Sequence, residues 1–167
     1  MATPILERRV LSGTQGDIHL EILVAGDRSP RPAVIVLHGY KGVEDRLARA
    51  GFTTISYRPN RSSTAEDLAD IQSVLAALER DELGTPHPTS VGIVGNGRGW
   101  GLAIMTAARS PQVAALVTGF SGSTIDADAA GARVTVPWLR MPDGSEAPPD
   151  LEEALDQTTG WLARHLP

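Results

Sequence analysis

The stretch SVGIVGNGRGWGLAIMTAA, residues Ser90–Ala108, decides how the whole sequence is interpreted. It begins with a short apolar run, Ser90–Val94, of the kind that forms a buried strand. A glycine-dense turn, Gly95–Gly101, follows, and Leu102–Ala108 has the small apolar residues of a helix that packs closely on a sheet. The stretch therefore predicts a strand, a tight turn and a helix in immediate succession.

Short apolar runs alternate with helix-like stretches on both sides of this unit. Ile5–Leu11 and Ile18–Val24 are joined by turn residues and predict an antiparallel hairpin. Ala33–Leu37 is apolar at every position, as in a central strand covered on both faces. Further strands are predicted at Phe52–Tyr57, Ala114–Thr118 and Val134–Met141, and further helices at Val43–Ala50, Ala65–Arg80 and Leu151–Leu166.

This order of elements predicts an α/β fold built as a three-layer α/β/α sandwich. Its sheet is expected to be mostly parallel, with an N-terminal antiparallel hairpin. Pro137 lies within the last predicted strand and favours an edge position for it, because proline cannot donate a ladder hydrogen bond. The 167 residues suit one domain, so we expect residues 1–167 to form a single unit.

The composition excludes several classes of function. The net charge of −5 argues against a general nucleic-acid or membrane-surface binder, and no run approaches membrane-spanning length. The start MATPILERRV lacks the apolar core of a signal peptide, which predicts a soluble, cytoplasmic protein. There is no cysteine, and the histidines have no paired ligand spacing, so no metal site is expected: His19, His38, His87 and His165. No cofactor is expected either, since the third glycine of G-x-G-x-x-G falls on Trp100.

With its elements in this order, the sequence resembles the α/β-hydrolase superfamily, most closely the dienelactone-hydrolase-like branch of small serine esterases. The similar segments run in the family's order from Leu6 to Leu166. They are the third strand with its His-Gly loop (Ala33–Tyr40), the fourth strand and its exit (Ala50–Ser63), the unit around the nucleophile (Ser90–Ala108), and the last strand with the final helix (Val134–Pro167). The resemblance implies a compact α/β-hydrolase fold without a cap domain.

The chain departs from the family pattern at the nucleophile. The family motif G-x-S-x-G corresponds here to Gly95–Gly99, and we call these five residues the elbow. Gly97 stands where the motif has serine, so no acyl-enzyme can form on that residue. Glycine also tolerates the strained backbone conformation that such a turn imposes. The sequence therefore predicts an elbow that keeps its shape and lacks its nucleophile.

The catalytic histidine and the acid-bearing strand of the family are also unmatched. Met141–Glu146 corresponds to the histidine loop and puts Glu146 or a neighbour at the place of the imidazole. Only Thr124–Arg133 separates the sixth-strand match from Val134–Met141. In one register Val134–Met141 is the eighth strand, and the acid-bearing strand is missing. In the other alignment with the family, Val134–Met141 is the seventh strand with an acid turn at Ser145-Glu146. The eighth strand and its histidine are then missing.

Other residues near the elbow are candidates for chemistry. His38 could bond loop backbone, donate to a ligand oxygen or act as a base, while Gly39 and Tyr40 would line the pocket. The backbone N–H of Arg98 would point into an oxyanion hole from a helix N-terminus, which attracts anions. Ser121 follows the sixth strand and is either a turn serine or a relocated nucleophile assisted by His38.

The sequence predicts a protein that binds a small molecule or a partner without hydrolysing it. The expected ligand is a carbonyl or carboxylate compound, the protein is expected to be a monomer or a homodimer, and the expected binding residues are Gly39, Tyr40, Gly97, Arg98, Ser121 and Glu146. The alternative is an enzyme of the same fold. It would be an ester or lactone hydrolase with Ser121 as nucleophile, or an isomerase, cyclase or lyase that uses the oxyanion pocket without a covalent intermediate.

Overall fold

The structure, a computed structural model, describes residues 3–38, 41–119, 130–141 and 151–167. Within these residues the predicted apolar runs form the strands of a single sheet. The strands are β1 (Ile5–Gly13), β2 (Gly16–Val24), β3 (Ala33–Leu37), β4 (Thr53–Tyr57), β5 (Val91–Gly95), β6 (Val113–Thr118) and β7 (Trp138–Arg140). The helices are α1 (Val43–Arg49), α2 (Thr64–Glu79), α3 (Trp100–Arg109) and α4 (Leu151–His165), and a 3₁₀ turn, Gly97–Gly99, precedes α3.

The sheet has the order β1-β2-β4-β3-β5-β6-β7. β2 pairs antiparallel with both β1 and β4, and the remaining pairs are parallel. The N-terminal hairpin closes at Gly13 and Gly16 across the two residues Thr14 and Gln15, a tighter turn than the sequence predicted. The α/β fold class, with a mostly parallel sheet and an N-terminal antiparallel hairpin, is confirmed.

Helices cover the two faces of the sheet and bury separate apolar clusters. On one face, α2 and α3 pack against alternate strand residues such as Ile35 and Leu37. On the other face, α1 and α4 pack against the intervening residues Val34 and Val36. Because both faces of β3 are buried, the strand is apolar at every position. The predicted three-layer arrangement follows from this alternation.

The entry to α2 is fixed by a capping box. The Ser63 hydroxyl accepts the N–H of Glu66, and the Glu66 carboxylate accepts the N–H of Ser63 in return. These bonds hold Glu66 ionised, and the pKa of Glu66 is lowered chiefly by the hydroxyl of Ser62. Ser63 is therefore the N-cap of α2, which begins at Thr64.

The last strand is shorter than the sequence predicted. Val134–Met141 was expected to be extended throughout, but only Trp138–Arg140 pairs in the sheet. Pro137 has no N–H to donate, and its carbonyl instead accepts the N–H of Leu116 at 3.0 Å as the strand begins. The strand lies beside β6 at the sheet edge, as its proline predicted.

Among the described helices, none combines the length and apolar character needed to cross a bilayer.

Candidate active site

The carboxyl ends of the parallel strands meet at one edge of the sheet, and the predicted residues His38, Gly97 and Arg98 lie at that edge. β3 ends at Leu37, which lies between Tyr57 of β4 and Gly95 of β5. The residues that follow these three strands are therefore neighbours, and they are His38, Arg58 and Asn96. Ligands of open α/β sheets bind at this edge.

The elbow has the strand-turn-helix form that the sequence predicted. Asn96 is extended, its side-chain Oδ1 accepts the N–H of Gly97 at 2.9 Å, and its carbonyl accepts the N–H of Gly99 at 2.8 Å. Gly97 has φ +50°, a left-handed conformation that glycine adopts without strain. The chain then enters α3 at Trp100. The central residue of this turn, Gly97, has no side chain.

Close packing against α3 and β3 explains why the residues two positions before and two positions after Gly97 are glycines. A Cβ atom on Gly99 would lie 1.8 Å from the carbonyl oxygen of Leu37, and a Cβ on Gly95 would lie 2.4 Å from the Cβ of Ala103. Both distances are far inside van der Waals contact. The elbow therefore rests directly on the backbone of β3, and this contact places His38 beside Gly97.

The imidazole of His38 lies against Gly97 of the elbow. A Cβ atom built on Gly97 would lie 3.1 Å from Nδ1 and 3.4 Å from Cε1 of His38. His38 itself has φ +55°, a left-handed conformation that few non-glycine residues adopt and in which histidine is enriched. The sequence singled out both residues but gave no sign of this contact, because it depends on the register of β3 against β5.

Arg98 directly follows Gly97, and its side chain is exposed to solvent. It is the second residue of the 3₁₀ turn, where a backbone N–H has no partner within the turn. The side chain is exposed and makes no hydrogen bond or ion pair with any residue that the structure describes. The amide, rather than the guanidinium, is thus the part of Arg98 that the elbow positions.

Four predicted site residues lie outside the described residues. They are Gly39 and Tyr40 of the His-Gly loop, Ser121 after β6, and Glu146 of the expected histidine loop. Their roles stay predictions.

Arg58 is a site residue that the sequence analysis missed. It is exposed, it has no hydrogen-bond or ion-pair partner among the described residues, and it follows β4 next to His38. Arg58 and His38 line one cavity of about 430 Å³, to which Ser56 and Glu44 also contribute. The signal for Arg58 was its place directly after a predicted parallel strand, where functional side chains gather.

A buried polar network fixes the segment that carries Arg58. The Tyr57 hydroxyl lies 2.8 Å from Oδ1 of Asp67 and 2.9 Å from Oδ2 of Asp70. Nε of Arg61 donates to Oδ2 of Asp70 at 2.7 Å, and its Nη2 donates to the carbonyl of Asp17 at 2.8 Å in the β1–β2 hairpin. Burial, together with the two carboxylates, raises the pKa of Tyr57 well above its ordinary value. Tyr57 therefore stays protonated and acts as a donor.

The part of the chain that the structure describes contains no group of three or more His, Asp or Glu side chains that could bind a metal ion.

Solved structures with similar folds include several esterases. A cold-adapted esterase from an Arctic intertidal metagenomic library matches with a TM-score of 0.82 and 15% identity, over 100% of this chain and 96% of its own. The dienelactone hydrolase of Anabaena variabilis matches with a TM-score of 0.72 and 14% identity, over 99% of this chain and 100% of its own. The AtxE2 isopeptidase matches with a TM-score of 0.74 and 15% identity over 98% of this chain, which spans only 40% of the isopeptidase. No protein-family model and no curated protein matches the sequence.

Proposed function

We propose that this chain, which has the α/β-hydrolase fold expected from its sequence, binds a small carbonyl or carboxylate compound at the elbow and forms no serine acyl-enzyme there. One observation carries the proposal. The elbow keeps its turn, with Gly97 at φ +50°, but offers no atom at that position that could attack a carbonyl carbon. The similarity to esterases and to a dienelactone hydrolase concerns the fold.

Donor groups at the carboxyl ends of β3, β4 and β5 suit a polar ligand oxygen. The amide of Arg98 lies at the start of the turn, where it can donate to a carbonyl or carboxylate oxygen. Arg58 and His38 stand at the ends of adjacent strands and line the same cavity. An unpaired guanidinium matches the planar, bidentate geometry of a carboxylate. These donors support a carboxylate-bearing ligand whose carbonyl group lies over the elbow.

A second candidate is an enzyme that works in this pocket without a covalent intermediate. The observation in its favour is the imidazole of His38, which stands against Gly97 and has no hydrogen bond to any described residue. The relocated nucleophile Ser121 gains no comparable support, since Ser121 lies outside the described residues.

Binding can be tested with pyruvate, acetoacetate and benzoate, followed by amide chemical shifts in ¹⁵N spectra. We expect at least one of these carboxylates to move the resonances of His38 and Arg98. Arg58→Ala should weaken that binding about 10–100-fold, the effect of losing a hydrogen bond to a charged group. Arg49→Ala is the matched control, because Arg49 is exposed and paired with Asp45 on α1. Chemical-shift changes confined to residues outside the elbow would contradict the proposal. So would an affinity of Arg58→Ala equal to that of the wild type.

A further inference from the structure

We infer that His38 is a catalytic base that removes a proton from the carbon next to the carbonyl group of a ligand bound at the elbow. The inference rests on the proposed binding function and adds a reaction and a substrate class to it. The substrates would be carbonyl compounds with an acidic α-hydrogen, such as 2-oxo acids.

The position of the ring is the first argument. Nδ1 of His38 lies 3.1 Å from the point where the Cβ of a serine at position 97 would be. A nitrogen therefore stands close to the space that the attacking oxygen of a serine hydrolase would fill. A carbonyl compound held by the Arg98 amide would have its reacting carbons within reach of Nδ1.

The backbone of His38 is the second argument. Its φ of +55° lies in the left-handed region, which costs free energy for a residue with a side chain. Glycine would adopt this conformation freely. Strained residues of this kind persist where the surrounding structure imposes them, and they cluster at functional sites. Arg28 and Asp81 have a positive φ as well, but among these three residues His38 is the one whose side chain contacts Gly97.

The freedom of the imidazole is the third argument. A structural histidine after β3 would bond loop backbone, yet His38 is exposed and has no hydrogen bond to any described residue. By contrast, the ring of His87 is paired with Asp81 at 2.7 Å, and that of His165 packs on Trp161. With its proton on Nε2, the ring of His38 leaves Nδ1 free to accept a proton.

The reaction balances without a further reactant. The α-carbon–hydrogen bond breaks, and the proton passes to Nδ1 of His38. The electron pair of that bond forms the carbon–carbon double bond of an enolate, and the carbonyl oxygen takes the negative charge. The Arg98 amide stabilises that charge. Return of the proton to the same carbon regenerates the neutral imidazole and releases the starting compound or, where that carbon is a stereocentre, its epimer.

The test is exchange of the pyruvate methyl hydrogens for deuterium in D₂O, followed by ¹H NMR alongside a measurement of pyruvate binding by calorimetry. We expect the protein to accelerate the exchange, and His38→Gln to lower the acceleration about 10²–10⁴-fold, the contribution typical of a general base. Pyruvate affinity should change little. His87→Gln is the matched control, because it removes an exposed imidazole far from the elbow and should leave exchange unaltered.

A second variant keeps the test independent of folding. His38→Gly suits φ +55°, so the variant should fold, lose exchange and regain it when free imidazole is added. If pyruvate binds but its hydrogens do not exchange, the role of His38 as a base is overturned and the proposed binding function stands. The same conclusion follows if exchange is unchanged in His38→Gln or His38→Gly. Failure of pyruvate, acetoacetate and benzoate to bind would overturn the proposed function and, with it, this inference.

Discussion

Replacing Asp70 with alanine is expected to lower the free energy of unfolding by about 3–5 kcal/mol, the usual cost of breaking a buried ion pair. The side chain of Asp70 is 1% exposed, and that of its partner Arg61 is 19% exposed. Without Asp70, the Arg61 guanidinium would be left partly buried beside the Tyr57 hydroxyl with no carboxylate on Nε. Arg61 also donates to backbone carbonyls of the β1–β2 hairpin, so the hairpin should loosen as well.

Urea unfolding of the wild type, Asp70→Ala and Asp45→Ala measures this effect against a matched control. Asp45 is paired with Arg49 at 2.7 Å, but both side chains are more than half exposed. The same substitution there should cost less than about 1 kcal/mol, because water already solvates such a pair. If the free energy of unfolding falls equally at the two positions, burial of the Tyr57–Asp70–Arg61 network contributes nothing to stability.

A second large effect is expected at the elbow, where Gly99→Ala should destabilise the fold by more than about 3 kcal/mol. The new Cβ would lie 1.8 Å from the carbonyl oxygen and 2.5 Å from the carbonyl carbon of Leu37. These are backbone atoms of the central strand β3, so no side-chain rotation can relieve the overlap. The elbow would have to move away from β3, and His38 would lose its contact with Gly97.

Gly160→Ala is the control for a glycine without such a contact. Gly160 lies within α4, and the nearest atom to an added Cβ is the Nη1 of Arg164 at 3.8 Å. Alanine is the better helix former, so this variant should be more stable than the wild type by about 0.5–1 kcal/mol. Thermal unfolding of both variants should show a lower melting temperature for Gly99→Ala and a higher one for Gly160→Ala. A wild-type melting temperature for Gly99→Ala would contradict this prediction.

Much of the fold could be predicted because local sequence and burial agree. β3 is apolar at every position and is covered on both faces, and the glycine density around Gly97 marks the tight turn. The last strand was predicted too long, since the apolar run before Trp138 does not show where pairing begins. The proline in that run did predict the edge position correctly.

The site was less predictable, because its contacts join residues that are distant in the sequence. His38 and Gly97 were each singled out, but their contact follows from the pairing of Leu37 with Gly95. Arg58 and the Arg61 contacts with the hairpin depend in the same way on neighbouring strands. Periodicity and motifs identify strands and turns, whereas strand order and register decide which side chains meet.

The mass of the intact protein after treatment with a fluorophosphonate probe tests the central claim most directly, because such a probe labels any activated serine. We expect an unchanged mass under conditions that fully label a working serine esterase, because Gly97 has no side chain that could attack the probe. A stoichiometric adduct that peptide mapping places on any serine, Ser121 included, would contradict the proposal that the protein binds its ligand without a serine acyl-enzyme.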